Sequence, residues 1–335
     1  MNAVCSVLSV VCMLNWTLGE IYAPLKGLRY RFNFGPDFRY YRNGTFRNEE
    51  SISSEGKNRA SLSNQSDFSW TLDNLIYYDK EFGKHSVGLT LLQSATGYHY
   101  EESSMAAEGI PLESAKWNAL SKENVSLLDE WNSGLIEKQL LSYMFRVNYD
   151  YNNKYLLTVS GRWDGASQLA EGNKWAFFPS AALGWRLDQE EFLKDVTWLN
   201  QLKFRLGVGV TGNSAIDPYQ TKGAIVSLYY PFGSALAPGY AASEPLIKDG
   251  AVAMANKDLS WEKTTQYNIG LDYSVLNGRI SGVLDFYTSR TTDLLMAMTI
   301  PSLNGYTNTY ANVGKTSNIG VDITLNTVNV KTRDF

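Results

Sequence analysis

The stretch YMFRVNYDYNNKYLLTVSGRW, residues 143–163, decides the reading of this chain. Tyr143, Phe145, Val147, Tyr149 and Tyr151 alternate with Met144, Arg146, Asn148, Asp150 and Asn152. After a break at Asn152-Asn153 the alternation restarts. Tyr155, Leu157, Val159, Gly161 and Trp163 fall on one side, and Thr158, Ser160 and Arg162 largely on the other. Period two around a tight Asn-rich connection predicts a β-hairpin. Each arm has about ten residues, the length that crosses a bilayer as a tilted strand. Asp164 to Ala176 is then polar and Gly-containing, and Phe177 to Leu187 reads as a third strand. Such a meander fits either a soluble sandwich or a membrane barrel.

Composition narrows the choice. The chain has 335 residues, enough for one large β domain or two ordinary ones. Its 21 Tyr and 9 Trp stand beside only 19% charged residues, a mixture that suits aromatic girdles but also a lectin-like sandwich. A net charge of −4 argues against a nucleic-acid partner, because phosphate binding needs a basic surface. No run of apolar residues is long enough for a transmembrane helix; barrel strands alternate and never produce one. Cys5 and Cys12 both lie near the start, so no disulfide framework or zinc site is expected. Residues 1–15 form an apolar segment of uncertain status. It resembles a signal peptide but has no basic residue before Lys26, so a frayed or artificial start is the preferred reading.

Outward from the central hairpin, the connections differ sharply in length. A weak strand is expected at Trp16–Ala23, then one through Leu28, Tyr30, Phe32 and Phe34. Phe68, Trp70, Leu72, Ile76 and Tyr78 mark another, followed by His85, Val87, Leu89 and Leu91. Later strands run through Phe204–Val210, Tyr267–Val275, Ile280–Phe286 and Ile319–Leu325. Asn277-Gly278 is a strong hairpin signal. Short links (Pro24–Gly27, Lys80–Gly83, Asn152–Asn153, Asp188–Trp198, Asn277–Gly278) alternate with long ones near 41–66, 99–138, 164–176, 212–260 and 293–315. The 99–138 insertion is moderately helical in pattern, and 188–198 has room for one helical turn. Compact soluble domains rarely carry so many long loops, whereas outer-membrane barrels put short turns at one end and long loops at the other. The fold expected is all-β: an incomplete antiparallel transmembrane β-barrel with about eleven strands.

The chemical motifs are weak. Gly207-Val208-Gly209-Val210-Thr211-Gly212 matches a dinucleotide fingerprint, but Asn213–Pro218 cannot open the helix that would face a pyrophosphate. Small residues on one face of a strand explain it better. His85 and His99 are the two histidines. His85 sits in an alternating strand and reads as a girdle or packing residue. Glu101-Glu102 and Glu190-Glu191 could in principle serve glycoside hydrolysis, yet solvated loop charge is the preferred reading. Asn43-Gly44-Thr45 and Asn124-Val125-Ser126 match glycosylation acceptors, a triplet common by chance. Trp117, Trp131, Trp175, Tyr229 and Tyr230 could stack on sugar rings or simply pack the loops. No catalytic, metal, cofactor or substrate residue is assigned from the sequence, and no enzymatic activity is expected.

Several stretches together carry a family likeness. YDYNNKYLL (149–157), RWDGAS (162–167), GNKWAFFPS (172–180) and GWR (184–186) closely resemble the SusC/RagA family of TonB-dependent transporters. WLNQLK (198–203), GVTGN (209–213), LSWEKTTQYNIG (259–270) and KGLRYR (26–31) extend the likeness over roughly residues 16–335. The resemblance implies the outer membrane of Bacteroidetes-type bacteria and a barrel of roughly 22 strands. It also implies a plug domain and a TonB-engaging segment, which this sequence does not show, so the chain reads as the barrel portion of a longer transporter. The implied partners are a SusD-like surface lipoprotein, the TonB complex, outer-membrane lipid and an oligosaccharide or peptide substrate. Two alternatives belong to other classes: a secreted carbohydrate-binding β-sandwich or solenoid, and a fragment without activity of its own.

Overall fold

The computed structural model describes residues 2–11, 14–18, 26–50, 56–110, 113–121, 127–222, 225–232, 235–242, 253–301 and 308–330. For 2–11, 14–18, 127–130, 225–232, 235–242 and 253 it describes the backbone alone. The chain is nearly all strand: β1 (Asn2–Val11), β2 (Leu14–Leu18), β3 (Leu28–Arg47), β4 (Arg59–Phe82), β5 (His85–Glu108), β6 (Leu127–Tyr151), β7 (Tyr155–Ala166), β8 (Trp175–Arg186) and β9 (Leu199–Asn213). There follow β10 (Ile225–Phe232), β11 (Ala235–Ala242), β12 (Ala253–Met254), β13 (Glu262–Val275), β14 (Ile280–Thr292), β15 (Leu295–Thr299), β16 (Asn308–Asn312) and β17 (Lys315–Thr327). One 12-stranded sheet takes the order β1-β3-β4-β5-β6-β7-β8-β9-β13-β14-β17, with β2 also on β3. β10–β11 and β12-β16-β15 form two small separate sheets. Two compact units emerge, one of residues 1–16, 32–73 and 95–139, the other of 17–31, 74–94 and 140–335.

In the second unit the register explains why alternation was so clean. Tyr149, Leu157, Leu183, Leu206, Ile269, Phe286 and Val321 stand opposite one another in one row across seven strands. One residue further along, Asn148, Thr158, Ala182, Gly207, Asn268, Tyr287 and Gly320 form the next row, on the opposite face. Successive side chains of a strand point to opposite faces, so the sheet is apolar on one side and polar or small on the other. The apolar face has no covering sheet among the described residues, and Leu183, Tyr267 and Phe286 each stay about half exposed. An apolar surface of this extent is untenable in water. It is what a barrel presents to lipid.

Aromatic rings bound that face at both ends. Tyr151, Tyr155 and Trp185 stack side by side, with centroids 6.3 and 6.4 Å apart. At the other end Trp163 packs on Phe177 at 4.2 Å and Tyr143 on Trp175 at 6.2 Å. Along β7, Tyr155 and Trp163 are separated by about 26 Å of strand, or about 20 Å along the membrane normal at a tilt of about 40°. That suits the apolar band between two interfacial girdles. His85 joins the first band, stacked on Phe82 at 5.1 Å and hydrogen-bonded through Nδ1 to Tyr149 Oη at 2.7 Å, as its expected packing role requires.

The short turns are as tight as their residues promised. Asn152 and Asn153 both have positive φ (56° and 53°), and Lys154 N–H bonds back to the Tyr151 carbonyl at 3.0 Å. Tyr151 pairs with Tyr155, so the loop holds three residues instead of two, with Lys154 as the third. Asn277 and Gly278 (φ 55° and 77°) form the mirror-image turn favoured by twisted hairpins, closed by Arg279 N–H to the Leu276 carbonyl.

Several expected loops prove to be strand. β3 continues to Arg47 and β4 begins at Arg59, inside the long link expected near 41–66. The helical reading of 99–138 is overturned: β5 runs to Glu108, β6 starts at Leu127, and among the described residues between them the helical content is a 3-10 segment at Glu113–Asn118. A period-two signal needs different media on the two faces. Where both faces meet polar surroundings, a strand carries no apolar alternation to read. The region 188–198 holds two 3-10 turns, Leu187–Gln189 and Glu191–Leu193, where one turn was expected. Residues 2–11 pair with β3 from Asn2↔Phe46 to Val11↔Asp37. Of the strand expected at 16–23, residues 19–23 lie outside the described residues, as do Pro24 and Leu25 of the link that follows it.

The first unit has its own core, in which Phe46, Ala60 and Ile110 are buried beneath Trp117 and Leu120. Asn58 clasps Ile110 from both sides, its Nδ2 donating to the Ile110 carbonyl and its Oδ1 accepting the Ile110 N–H.

Candidate functional site

On the polar face of the second unit, ionic groups pair both across strands and along them. Arg205 Nε donates to Asp272 Oδ1 at 2.9 Å, and Arg205 Nη2 reaches Asp285 Oδ1 and Oδ2 at 3.0 and 3.1 Å. Arg162 binds Asp164 at 2.6 Å and the buried Ser142 hydroxyl at 2.9 Å. Ser160 pairs with Ser180, and Thr264 with Thr291. Side chains of this kind are stable on a surface wetted from inside a barrel and would be costly in lipid. A concavity of about 520 Å³ opens on this face, with Asp79, Asn148, Lys203 and Asn268 among its walls.

At the short-turn end, Glu190 gathers three donors. Lys154 Nζ lies 2.8 Å from Oε2, while Tyr155 Oη and Trp185 Nε1 each lie 2.9 Å from Oε1. The Lys154 hydrogen bond, reinforced by those from Trp185 and Tyr155, brings the Glu190 carboxyl down to about 2, and Lys154 is raised in turn. Beside it, burial pushes the Asp188 carboxyl up, but hydrogen bonds from Gln189, Arg186 and the Leu202 amide outweigh burial and leave it lowered. Glu190 is therefore not the solvated loop charge expected of it. It ties the 152–154 turn to the end of β8.

At the opposite end three connections are stitched together. Phe178 and Trp261 meet edge to face at 5.3 Å over Ala166 and Leu169. Trp261 Nε1 donates to the Lys174 carbonyl at 2.9 Å, and Asn173 Nδ2 to the Asp258 carbonyl at 3.0 Å. Asn312 pairs with the Ser260 backbone twice, at 2.8 Å each way. Gln168 donates to the Ser214 carbonyl. The β7–β8, β9–β13 and β14–β17 connections thus form one platform. Its fasteners fall in GNKW and LSWEK, motifs that marked family likeness in the sequence without revealing this role.

The sequence candidates fare unevenly. All of Gly207–Gly212 lies within β9 and no helix follows, so the nucleotide reading fails. Glu101 and Glu102 sit next to each other in β5, and each has its own partner: His99 Nε2 for Glu101, Tyr100 Oη for Glu102. His99 Nδ1 also meets Glu137 at 2.9 Å. Asn43-Gly44-Thr45 is inside β3, where the Trp117 ring covers Gly44 and Thr45 bonds Ser61. Asn124-Val125-Ser126 lies outside the described residues. Trp117 packs a core, Trp175 stacks on Tyr143 in the girdle, and Trp131 stands 80% exposed. The side chains of Tyr229 and Tyr230 are outside the description. The described members of this set share no common cleft, and among the described residues no cluster of His, Cys, Asp and Glu could hold a metal ion. No helix among them is long and apolar enough to cross a membrane.

Comparison with known proteins agrees with this geometry. Residues 14–331 match the family model described as TonB dependent receptor-like, beta-barrel. The TonB-dependent receptor P26 of Formosa agariphila is 33% identical over 94% of this chain and 31% of its own length. The TonB-dependent receptor SusC of Bacteroides thetaiotaomicron is 34% identical over 91% of this chain and 30% of its own length. The RagAB peptide transporter superposes with a TM-score of 0.85 at 24% identity, over 99% of this chain and 35% of that one. The chain therefore spans about a third of the length of the relatives it matches. It belongs to the TonB-dependent receptor β-barrel family of the outer membrane.

Proposed function

We propose that this protein imports a nutrient, an oligosaccharide or a peptide, across the outer membrane with energy delivered through TonB. The observation that carries the reading is the two-faced sheet, with an apolar face between aromatic bands and an opposite face of ion pairs and hydroxyls. A wall of this kind separates lipid from a polar passage. RagAB, a peptide transporter of the same fold, supports the peptide class, and the family likeness of the sequence supports the oligosaccharide class. A SusD-like surface lipoprotein is the proposed partner, seated on the platform that Lys174, Trp261, Ser260 and Asn312 hold together. The proposed chemistry is solute passage, with no bond made or broken.

Deleting the coding gene and measuring uptake and growth on defined glycan and peptide mixtures tests this. Loss of growth on one class, restored by the intact gene but not in a strain lacking TonB, is expected. Unchanged uptake of every class would overturn the reading. The match of residues 14–331 to a TonB-dependent receptor barrel family speaks against the sandwich alternative.

A further inference from the structure

On the apolar face a trough runs diagonally from the short-turn girdle toward mid-sheet. Its lower part, about 570 Å³, is lined by Tyr149, Tyr155, Leu157, Leu183, Trp185 and Phe204, together with Leu206. A second hollow of about 340 Å³ continues it past Ala181, Val208, Tyr267 and Ile269, sharing Leu183 and Leu206 with the first. The trough exists because Ala181 stands in a row between Val159 and Val208, with Tyr267 next along. From Trp185 to Ala181 it covers about 13 Å of strand at about 3.3 Å per residue.

Its mouth is held open by fixed rings. Tyr155 and Trp185 stack at 6.4 Å and 21°, and both direct their polar atoms to Glu190. Glu190 is in turn held by Lys154. Neither ring can rotate into the trough without giving up a charge-assisted hydrogen bond, so the cavity is formed before anything occupies it. The trough is continuous with the lipid-facing belt, and its walls carry no charged side chain. The geometry points to a resident membrane lipid: one acyl chain of a glycerophospholipid in the periplasmic leaflet lies in this trough, with its headgroup at the level of Tyr155 and Trp185. The choice of leaflet follows from the short turns at that end, which are periplasmic in outer-membrane barrels.

The test uses the protein in its native outer membrane. Cells are fed a fatty acid carrying a mid-chain diazirine, which they incorporate into phospholipid, and cross-linked residues are mapped after irradiation. Cross-links concentrated on Ala181, Leu183 and Leu206 are expected, at least tenfold above Phe286 and Val321 on the same face. Ala181→Trp fills the trough and is expected to lower that labelling tenfold. Glu190→Ala, which removes the shared acceptor of both rings while leaving the trough walls unchanged, is expected to lower it severalfold. Labelling spread evenly over the whole apolar face would overturn the proposal. So would labelling of the trough that survives Ala181→Trp, or a protein–protein cross-link at Leu183 showing that a second polypeptide covers it. The proposal rests on membrane placement alone, so its failure leaves the transport reading untouched.

Discussion

Arg205 and Asp285 face each other across an intervening strand: Arg205 Nη2 lies 3.0 Å from Asp285 Oδ1 although β13 separates β9 from β14. The span is possible because Gly270 is the residue paired with both. A Cβ at Gly270 would clash with Asp285 Oδ1 and lie 2.7 Å from Arg205 Cζ. Gly270→Ala is therefore expected to break the contact and lower stability by about 1–3 kcal/mol, the usual cost of overpacking. A lowered denaturant midpoint in detergent checks it. Asp285→Asn in the Gly270→Ala background should then cost little more, because the pair is already lost.

The Glu190 latch has a defined pH window. Its carboxyl is held at about 2, against 4.5 for a free glutamate. A depressed carboxylate contributes stability that is present above its unfolded value and is lost as pH falls through the folded one. The latch should be intact at neutral pH and weaken between about pH 4.5 and about pH 2. Lys154, raised above 10.5, supports it until strongly alkaline pH. The Trp185 indole N–H resonance should report the acid step, and Glu190→Gln should abolish it.

Leu276 occupies a left-handed backbone conformation (φ 55°) immediately before Asn277 and Gly278. A branched side chain there costs about 1–2 kcal/mol. Leu276→Gly is expected to raise stability by up to about 1 kcal/mol once the greater freedom of glycine in the unfolded chain is deducted. Gly278→Ala (φ 77°) should lower it. Paired denaturation curves distinguish the two signs.

Trp261 is 5% exposed and links two connections through Phe178 and the Lys174 carbonyl. Trp261→Ala removes a large buried ring, a loss of about 3–5 kcal/mol in a packed core. Because the ring holds loops, the expected result is local: faster protease cleavage within 164–176 with the membrane-embedded strands still protected. Global unfolding in the same experiment would contradict it.

Expressed by itself, the 335-residue chain is expected to aggregate or to require detergent. β17 pairs only with β14 among the described strands, and Ile319 and Ile323 on it are 80% and 70% exposed. An open edge carrying apolar side chains invites intermolecular pairing. A monodisperse, detergent-free product in size-exclusion chromatography would refute this.

The sequence alone determined the fold class, the central strands and the tight turns. In 143–163 and 267–286 every second side chain faces lipid, and a one-residue slip would invert the faces, so the pattern had to be written plainly. Asn152-Asn153 and Asn277-Gly278 were equally legible, because few residues accept positive φ. Tertiary structure alone decided the rest. The outer halves of β3 to β6 carry no apolar alternation, so they read as loop or helix. Glu190 looked like a loose carboxylate because its partners come from residues 154, 155 and 185, brought together only by strand pairing. Gly270 looked like an ordinary small residue until β9 and β14 closed on either side of it. Local pattern reports which face a residue takes; which charges meet across that face depends on register.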